Sequence, residues 1–280
     1  MDIRTIIERH DGSLTPSEKE LVKQILYNLE ETAMLPAAEL ASRVGAHEST
    51  AIRLVQKLGF SGYRSFRRAL QSELLDTVDY PDRIQRRLSR SHSLADLVED
   101  EIGALEALPE AISEEELSKA AALVIGARRV FLYARGHATL LVEMMDRRLR
   151  RYGFDTVDLR VEARDLAEHV VTLGPDDVIL GFVLRHIQPG YLPLMLHAQE
   201  VNAPSIMVAD TIGPLLRPRP NVLLWASRGM KGESLTHVVP LTICNALLLT
   251  IADLDSGRTF DSLNTVGHLV HHYTQSSHDE

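Results

Sequence analysis

The sequence lacks several features that would mark a secreted or membrane-spanning protein. Its single cysteine, Cys244, stands in an apolar run, which excludes an intrachain disulfide and favours a buried thiol in a reducing compartment. The apolar run at residues 246–252 is too short to cross a bilayer. The first residues, MDIRTIIERHDG, contain no long apolar stretch, so no signal peptide is expected. These absences favour a cytoplasmic protein with no membrane partner.

Motifs that carry common chemistries are also missing. The sequence has no Walker-type phosphate loop, no GxSxG nucleophile motif and no HExxH zinc motif. His268, His271 and His272 share a face at helical spacing, but no cysteine or carboxylate stands at a matching position. An exposed helix face explains these histidines better than a metal site does. We expect no catalytic residue, no metal and no cofactor.

The chain of 280 residues, 45% of them hydrophobic, is long and apolar enough for two separate cores. Residues 14–75 show only helical periodicity, and residues 76–100 are polar and charged. Further on, short β-prone runs alternate with helical segments, which predicts a parallel sheet covered on both faces. The predicted domains are an all-α domain at 1–76, a linker or bridging helix at 77–104, and a doubly wound α/β domain at 105–280.

Individual elements of both domains can be placed from the sequence. Thr15, Pro16 and Glu18 form a capping-box pattern at the start of an amphipathic helix. The predicted strands are 129–134, 155–159, 177–183, 205–209 and 221–225. The predicted helices of the second domain are 138–152, 163–172 and 191–201, followed by a long buried helix at 232–252.

Charge is distributed unevenly along the chain. The net charge is −9, which argues against indiscriminate binding to nucleic acid. Residues 40–72, however, contain six basic residues and one acid, so the remainder of the chain carries −14. A basic island in an acidic protein favours a local surface for a polyanion.

The basic island coincides with the pattern of a helix-turn-helix, in which two short helices meet at a tight turn. Ala41 is small where the helices must approach, Val44 can fill the corner, and Gly45 permits the turn. In the second helix Ile52, Val55 and Leu58 are predicted to face inward. The predicted DNA-binding residues lie on the opposite side or on the next helix: Glu48, Ser49, Thr50, Arg53, Gln56, Lys57, Arg64, Arg67 and Arg68.

The stretch from Leu14 to Leu74 resembles the N-terminal domain of the RpiR family of transcriptional regulators. The resemblance rests on LTPSEK and on AELASRVGAHESTAIRLVQKLGFSGYRSFRRAL. His47 departs from the family pattern, which has a capping serine there, and a histidine is a weaker cap. The alternative for this region is a helical bundle used for dimerisation, against which the basic and polar outer face argues.

Residues from about 105 to 255 resemble the sugar-isomerase (SIS) domain that follows this helix-turn-helix in the family. Ligands of such doubly wound domains bind beyond the carboxyl ends of the strands. The family's Gly-x-Gly-x-Ser motif is here Ala134 to Ala138, and its hydroxyl-rich Ser-x-Ser-Gly-x-Thr motif is here FVLRHIQ, residues 182–188. The usual binding of a sugar phosphate is therefore in doubt.

Two interpretations of the altered motifs remain open. Cationic and amide side chains can line a pocket for a different anionic metabolite, or the domain serves only for dimerisation. The resemblance adds an acid at the start of the last long helix, which is either a ligand contact or a residue stabilised by the helix dipole. The candidate ligand-binding residues are Arg135, Gly136, His137, Thr139, Arg185, His186, Gln188 and Glu233.

The sequence as a whole predicts a transcriptional regulator of a metabolic operon, most simply a repressor. We expect a homodimer or homotetramer that binds a near-palindromic operator in double-stranded DNA and responds to a small anionic metabolite, such as a sugar phosphate or an organic acid. The alternatives are a phosphosugar isomerase with an accessory N-terminal domain, a regulator whose SIS domain only dimerises, and a non-enzymatic scaffold.

Overall fold

The computed structural model describes residues 3–10, 14–27, 32–33, 35–74, 80–90, 93–161, 163–229 and 236–275. These residues form two compact units, residues 1–83 and residues 84–280. The boundary lies inside the segment 77–104 that the sequence assigns to a linker. Each unit has its own buried apolar core.

The N-terminal unit is built from short helices packed around one core. Its helices are α1 (Ile3–His10), α2 (Pro16–Tyr27), α3 (Ala37–Arg43), α4 (Glu48–Lys57) and α5 (Tyr63–Leu74). Helix α6 (Tyr80–Arg90) spans the boundary between the units. The core is formed by large side chains with almost no exposed surface, among them Leu21, Ile25, Leu40, Leu54 and Phe66.

The capping box predicted at the start of α2 is confirmed. The Thr15 backbone N–H donates to Glu18 Oε2 over 2.7 Å, and the Glu18 N–H donates to Thr15 Oγ1 over 3.4 Å. Two of the amide groups that a helix start leaves unpaired are thereby satisfied. Glu18 is nearly buried in the process.

The inward face of α4 agrees only in part with the predicted one. Val55 and Leu58 are buried as predicted, whereas Ile52 is only partly buried. Ala51 and Leu54 occupy the centre of the inward face instead. The prediction used a spacing of three residues only, whereas residues on one face of a helix recur at steps of both three and four.

The C-terminal unit is a five-stranded parallel sheet with helices on both faces. It begins with helices α7 (Leu94–Glu106), α8 (Leu108–Ala111) and α9 (Glu114–Gly126). Strands and helices then alternate: β1 (Val130–Ala134), α10 (Thr139–Arg151), β2 (Thr156–Asp158), α11 (Ala163–Val170), β3 (Val178–Val183), α12 (Tyr191–Glu200), β4 (Ser205–Ala209) and β5 (Val222–Trp225). Two long helices, α13 (Val238–Leu254) and α14 (Ser256–Gln275), complete it.

The strand order is β2-β1-β3-β4-β5, with every neighbouring pair parallel. The chain leaves β1 toward one edge of the sheet and returns to β3 on the other side, so the order reverses between these two strands. In open α/β sheets a crevice for ligands forms at such a switch point, beyond the carboxyl ends of the strands. The predicted doubly wound sheet and the predicted strands are confirmed.

Alternation along β1 divides the core between the two faces of the sheet. Val130, Leu132 and Ala134 belong to one apolar cluster together with residues of α9, α10 and α13. Cys244 lies in α13 within this cluster, and burial raises the pKa of its thiol to about 12. The thiol is therefore protonated at neutral pH and acts as a small apolar side chain.

Among the described residues, no single helix is long and apolar enough to span a bilayer, although α13 and α14, which meet at 103°, would reach that length together.

Candidate nucleic-acid interface and effector site

Helices α3 and α4 of the N-terminal unit meet at a four-residue turn, residues 44–47. Ala41 is fully buried at the approach, and its carbonyl accepts the Ala46 N–H over 2.9 Å. Gly45 has a φ of +66°, a left-handed conformation that glycine adopts without steric cost. The turn is thus built as the sequence pattern of a helix-turn-helix requires.

The start of α4 is capped by the residue that departs from the family pattern. His47 has extended backbone geometry, and its Nδ1 accepts the Ser49 N–H over 3.3 Å. The imidazole also lies 3.1 Å from Ser49 Oγ. The long amide contact indicates a weaker cap than a serine or aspartate provides.

The solvent-facing side of α4 carries a row of polar side chains. Ser49, Arg53 and Gln56 are exposed and follow each other at four- and three-residue steps, so they lie on one stripe of the helix. Arg53 Nε donates to the Ser49 carbonyl over 3.4 Å. Glu48 is exposed at the first position, and Thr50 is partly buried beside it.

Lys57, in the last turn of α4, is held by a carboxylate of its own domain. Its Nζ donates to Glu18 Oε2 over 3.0 Å, and 34% of its side chain is exposed. Lys57 is one of the residues predicted to bind DNA. In the structure its ammonium pairs with an acid on α2, a contact that nothing in the local sequence indicated.

Helix α5 is fixed at its start by contacts of its first turn. Tyr63 donates its hydroxyl to the Leu35 carbonyl over 3.1 Å, and burial raises the pKa of this phenol to about 12. Phe60 and Phe66 pack edge to face with ring centroids 5.3 Å apart. Beyond this anchor, Arg64 and Arg68 are exposed and Arg67 is partly buried, so the three predicted phosphate contacts follow the start of α5.

Seven of the eight residues predicted to bind a ligand, all except Glu233, lie on the segments that follow β1 and β3, which adjoin the switch point of the sheet. Gly136 has a φ of +58° and begins a short 3-10 turn that leads into α10. His137 is exposed on this turn, and Thr139 donates its hydroxyl to the Gly136 carbonyl over 2.8 Å. Thr139 therefore stabilises the turn itself.

Arg135 follows the last residue of β1, and its side chain donates hydrogen bonds to nearby backbone carbonyls. Its Nη1 donates to the carbonyls of Ala134 (3.0 Å) and Leu159 (2.7 Å), and its Nη2 donates to the Val161 carbonyl. The guanidinium also lies 4.9 Å from the centroid of the Tyr133 ring. Its hydrogen-bonding capacity is largely taken up by the backbone after β2.

The loop after β3 has an uncommon backbone conformation. Arg185 has a φ of +73°, which residues other than glycine rarely adopt. Its backbone N–H donates to Asp210 Oδ2 over 2.9 Å. His186 is exposed, and its Nε2 lies 2.6 Å from Nε2 of Gln188. Asp210 therefore fixes the segment that carries three of the predicted ligand residues.

Asp210 and Arg228 form a buried ion pair that the sequence analysis missed. Arg228 donates to Asp210 Oδ2 from Nε (3.0 Å) and from Nη2 (2.6 Å), and both side chains are 4% exposed. Arg228 also donates to the Thr236 carbonyl over 2.9 Å. Charged residues at strand ends were the available signal, since Asp210 directly follows β4 and Arg228 comes shortly after β5.

His237, at the start of α13, is another residue of this edge that the sequence did not single out. Burial, followed by the charges of Arg228 and His137, lowers the pKa of His237 below its ordinary value. At neutral pH its imidazole is thus uncharged and can both donate and accept hydrogen bonds. Glu233, the predicted acid, lies outside the described residues.

The start of α12 and the ring of Tyr133 meet on the same side of the sheet. A Cβ added to Gly190 would lie 3.1 Å from the Tyr133 hydroxyl, which shows how closely the two approach. Within the described parts of the chain, the Tyr133 hydroxyl has no hydrogen-bond partner although it is buried. In the same parts no side chain caps the amide groups of α12.

In the described ranges, no group of three or more His, Cys, Asp or Glu residues is arranged to hold a metal ion. His268, His271 and His272 are exposed along α14.

Comparison with known proteins identifies the N-terminal unit. Residues 1–76 match the helix-turn-helix domain of the rpiR family. The uncharacterised HTH-type transcriptional regulator YfhH of Escherichia coli is 26% identical over 181 residues, which cover 63% of this chain and 64% of YfhH. The bifunctional protein glk of Paraburkholderia xenovorans is 23% identical over 215 residues, 75% of this chain. The chain matches less than two thirds of YfhH and 33% of glk.

Solved structures identify the fold of the C-terminal unit. The sugar isomerase domain of an RpiR transcription factor from Sphaerobacter thermophilus superposes with a TM-score of 0.57 at 20% identity, covering 62% of this chain and 97% of that domain. The NanR protein of Vibrio vulnificus, in complex with ManNAc-6P, gives a TM-score of 0.52 at 16% identity and covers 96% of this chain and 98% of its own.

Proposed function

We propose that this chain, whose residues 1–76 match the helix-turn-helix domain of the rpiR family, is a DNA-binding transcriptional regulator whose C-terminal SIS domain senses a small anionic metabolite. The observation that carries the proposal is the division of α4 into two faces. Ala51, Leu54 and Val55 are buried, while Ser49, Arg53 and Gln56 are exposed along one stripe. A helix of this kind, placed second in a helix-turn-helix, fits the major groove.

The DNA half of the proposal assigns different tasks to α4 and α5. Side chains near the start of α4 approach base edges, and Arg53 reaches a base or a phosphate. Arg64, Arg67 and Arg68 contact the phosphate backbone, where they add affinity that does not depend on sequence. A homodimer or homotetramer would present two such units to a near-palindromic operator with half-sites about 34–36 Å apart or a multiple of that distance.

The sensing half of the proposal places the effector at the carboxyl ends of β1 and β3. Exposed His137 and His186, the amide of Gln188 and the uncapped start of α12 supply donors suited to a phosphate or a carboxylate. The related fold of NanR holds a sugar phosphate, ManNAc-6P. In this chain the hydroxyls of the family motif are replaced, so the expected effectors are sugar phosphates and organic acids.

An enzymatic role receives less support. An isomerase needs a base placed at the reacting carbons and a firmly bound phosphate. At this edge two of the cationic side chains that could bind such a phosphate already have partners within the protein. Arg135 donates to backbone carbonyls, and Arg228 donates to Asp210. We therefore propose a cytoplasmic regulator without turnover, most simply a repressor of a metabolic operon.

The effector proposal is tested by thermal-shift screening of the full chain against sugar phosphates and organic acids. We expect one class to raise the unfolding temperature and also to change the affinity for operator DNA, by a coupling of about 1–3 kcal/mol. A protein that binds DNA but is stabilised by no member of either class would leave the C-terminal domain with dimerisation alone.

A further inference from the structure

Glu18 joins two elements of the N-terminal unit that the chain separates by 39 residues. Its Oε2 accepts the Thr15 N–H at the start of α2 over 2.7 Å and the Lys57 ammonium at the end of α4 over 3.0 Å. One carboxylate oxygen thus completes a helix cap and forms an ion pair with the proposed DNA-reading helix.

The burial of the two partners shows which of them determines the geometry. The Glu18 side chain is 9% exposed and the Lys57 side chain is 34% exposed. A carboxylate with so little water around it needs a cation nearby, whereas a lysine at the surface has water as an alternative. Burial raises the pKa of Glu18, but the hydrogen bonds from Thr15 and Lys57 outweigh it and leave the pKa below its ordinary value.

We propose that Glu18 is a positioning residue of the DNA-binding surface that withholds Lys57 from the phosphate backbone. The inference rests on the proposed function, because it concerns how tightly α4 holds any duplex. Each phosphate that a protein neutralises adds affinity regardless of base sequence. A lysine retained by Glu18 lowers this non-specific contribution and leaves Ser49, Arg53 and Gln56 of the same helix to discriminate between sites.

The pair also constrains the helix mechanically. Lys57 is the last residue of α4, and Glu18 belongs to the first turn of α2. Their contact fixes the end of α4 opposite the turn that fixes its beginning. Exchange of Glu18 for glutamine separates charge from capping, since glutamine serves in a capping box as glutamate does.

The test measures the binding of the full chain to a duplex of random sequence at several salt concentrations. In Glu18→Gln we expect the plot of log affinity against log salt to steepen by about 0.9, the value for one additional phosphate contact. At 0.15 M salt this corresponds to about fivefold tighter non-specific binding. The double variant Glu18→Gln/Lys57→Gln should return to the wild-type slope, because it has no lysine to release.

Glu20→Gln is the matched control. Glu20 lies on the same helix and accepts from Lys23 over 2.6 Å, but both side chains are more than half exposed and neither lies on α4. Its removal changes the net charge by the same amount and should leave the slope unchanged. Circular dichroism and thermal unfolding of each variant establish that α2 and α4 remain folded.

The outcomes separate the inference from the proposed function. A steeper slope in Glu18→Gln that the double variant reverses supports the inference. If wild type binds the duplex and Glu18→Gln has the same slope, or if Lys57→Gln alone flattens the slope by about 0.9, Lys57 is not withheld and the inference is overturned. A wild-type protein that binds no duplex at any salt concentration overturns both.

Discussion

Asp177 illustrates how a single charged residue stabilises the end of the sheet opposite the candidate effector site. It precedes β3, is fully buried, and accepts hydrogen bonds from Arg128 Nη2 (2.8 Å), Arg129 Nη2 (2.9 Å) and the Gly174 N–H (3.0 Å). Burial raises the pKa of its carboxyl, but the hydrogen bonds from Arg128 and Arg129 outweigh it and hold the pKa at about 2.

We expect Asp177→Asn to lower the free energy of unfolding by about 3 kcal/mol at pH 7, because two arginines lose their shared anion. The pKa of Asp177 in the folded state lies below its unfolded value of about 4. The ionised carboxylate therefore stabilises the folded protein above pH 4, and this stabilisation is lost as the pH falls from 4 to 2. On acidification the free energy of unfolding of the wild type should therefore fall by about 1–2 kcal/mol more than that of the variant. This figure includes a reduction for the solvent exposure of Arg128. Urea unfolding at pH 6 and at pH 2.5 measures the difference, and equal losses in both proteins would contradict this account.

Arg53 provides the most direct mutational test of DNA binding by α4. Its side chain is solvent-facing and makes one long contact with the carbonyl of Ser49, so alanine should leave the fold intact. We expect Arg53→Ala to weaken operator binding by about 1–3 kcal/mol, as the loss of a base contact does. Fluorescence anisotropy with an operator fragment measures the effect, and Lys119→Ala, on an exposed helix face of the other unit, provides the control. Unchanged affinity would remove Arg53 from the interface.

At the scale of the element, the start of α4 has the backbone geometry of a helix cap but a weak capping hydrogen bond. The His47 ring accepts one amide at 3.3 Å, which is long for such a bond. We expect His47→Ser to raise the free energy of unfolding by about 0.5 kcal/mol, because a serine hydroxyl is a stronger cap. Denaturant unfolding of the variant at neutral pH tests this, with Ser49→Ala as a comparison that keeps the histidine. A destabilised His47→Ser protein would show that the ring makes contacts beyond capping.

Elements with local causes could be predicted from the sequence. The capping box of α2 and the turn at Gly45 depend on residues within a few positions, and β4 agrees with its predicted range at both ends. The inward face of α4 was less accurate, since partners from other helices determine which residues are covered. Ile52 fits the periodicity of an inward residue but has only partial cover.

The candidate sites contain the long-range contacts that no local pattern indicates. Glu18 and Lys57 are 39 residues apart, and Asp210 and Arg228 are 18 apart on the loops after adjacent strands. Only the order of strands in the sheet brings the second pair together. The sequence therefore predicted the edge at which Arg185, His186 and Gln188 lie, but not the ion pair that holds their loop in place.

Considered as a whole, each unit has a buried acid that holds part of its candidate functional surface in place. In the N-terminal unit the acid is Glu18, and in the C-terminal unit it is Asp210, which joins the ends of β3 and β4 to Arg228. Through Arg228 the network continues to Thr236, whose hydroxyl donates to Glu101 on α7. The candidate effector edge is thus connected to α7, near the start of the C-terminal unit.

The central claim is that the exposed stripe of α4 binds a specific DNA sequence, and competitive binding tests it most directly. The 280-residue chain is titrated at 0.15 M salt with the duplex upstream of its own coding sequence, against a random duplex of the same length. The account predicts binding at least about 10³-fold tighter to the upstream duplex and loss of most of that preference in Arg53→Ala. Equal affinity for the two duplexes, unaltered in Arg53→Ala, would contradict it.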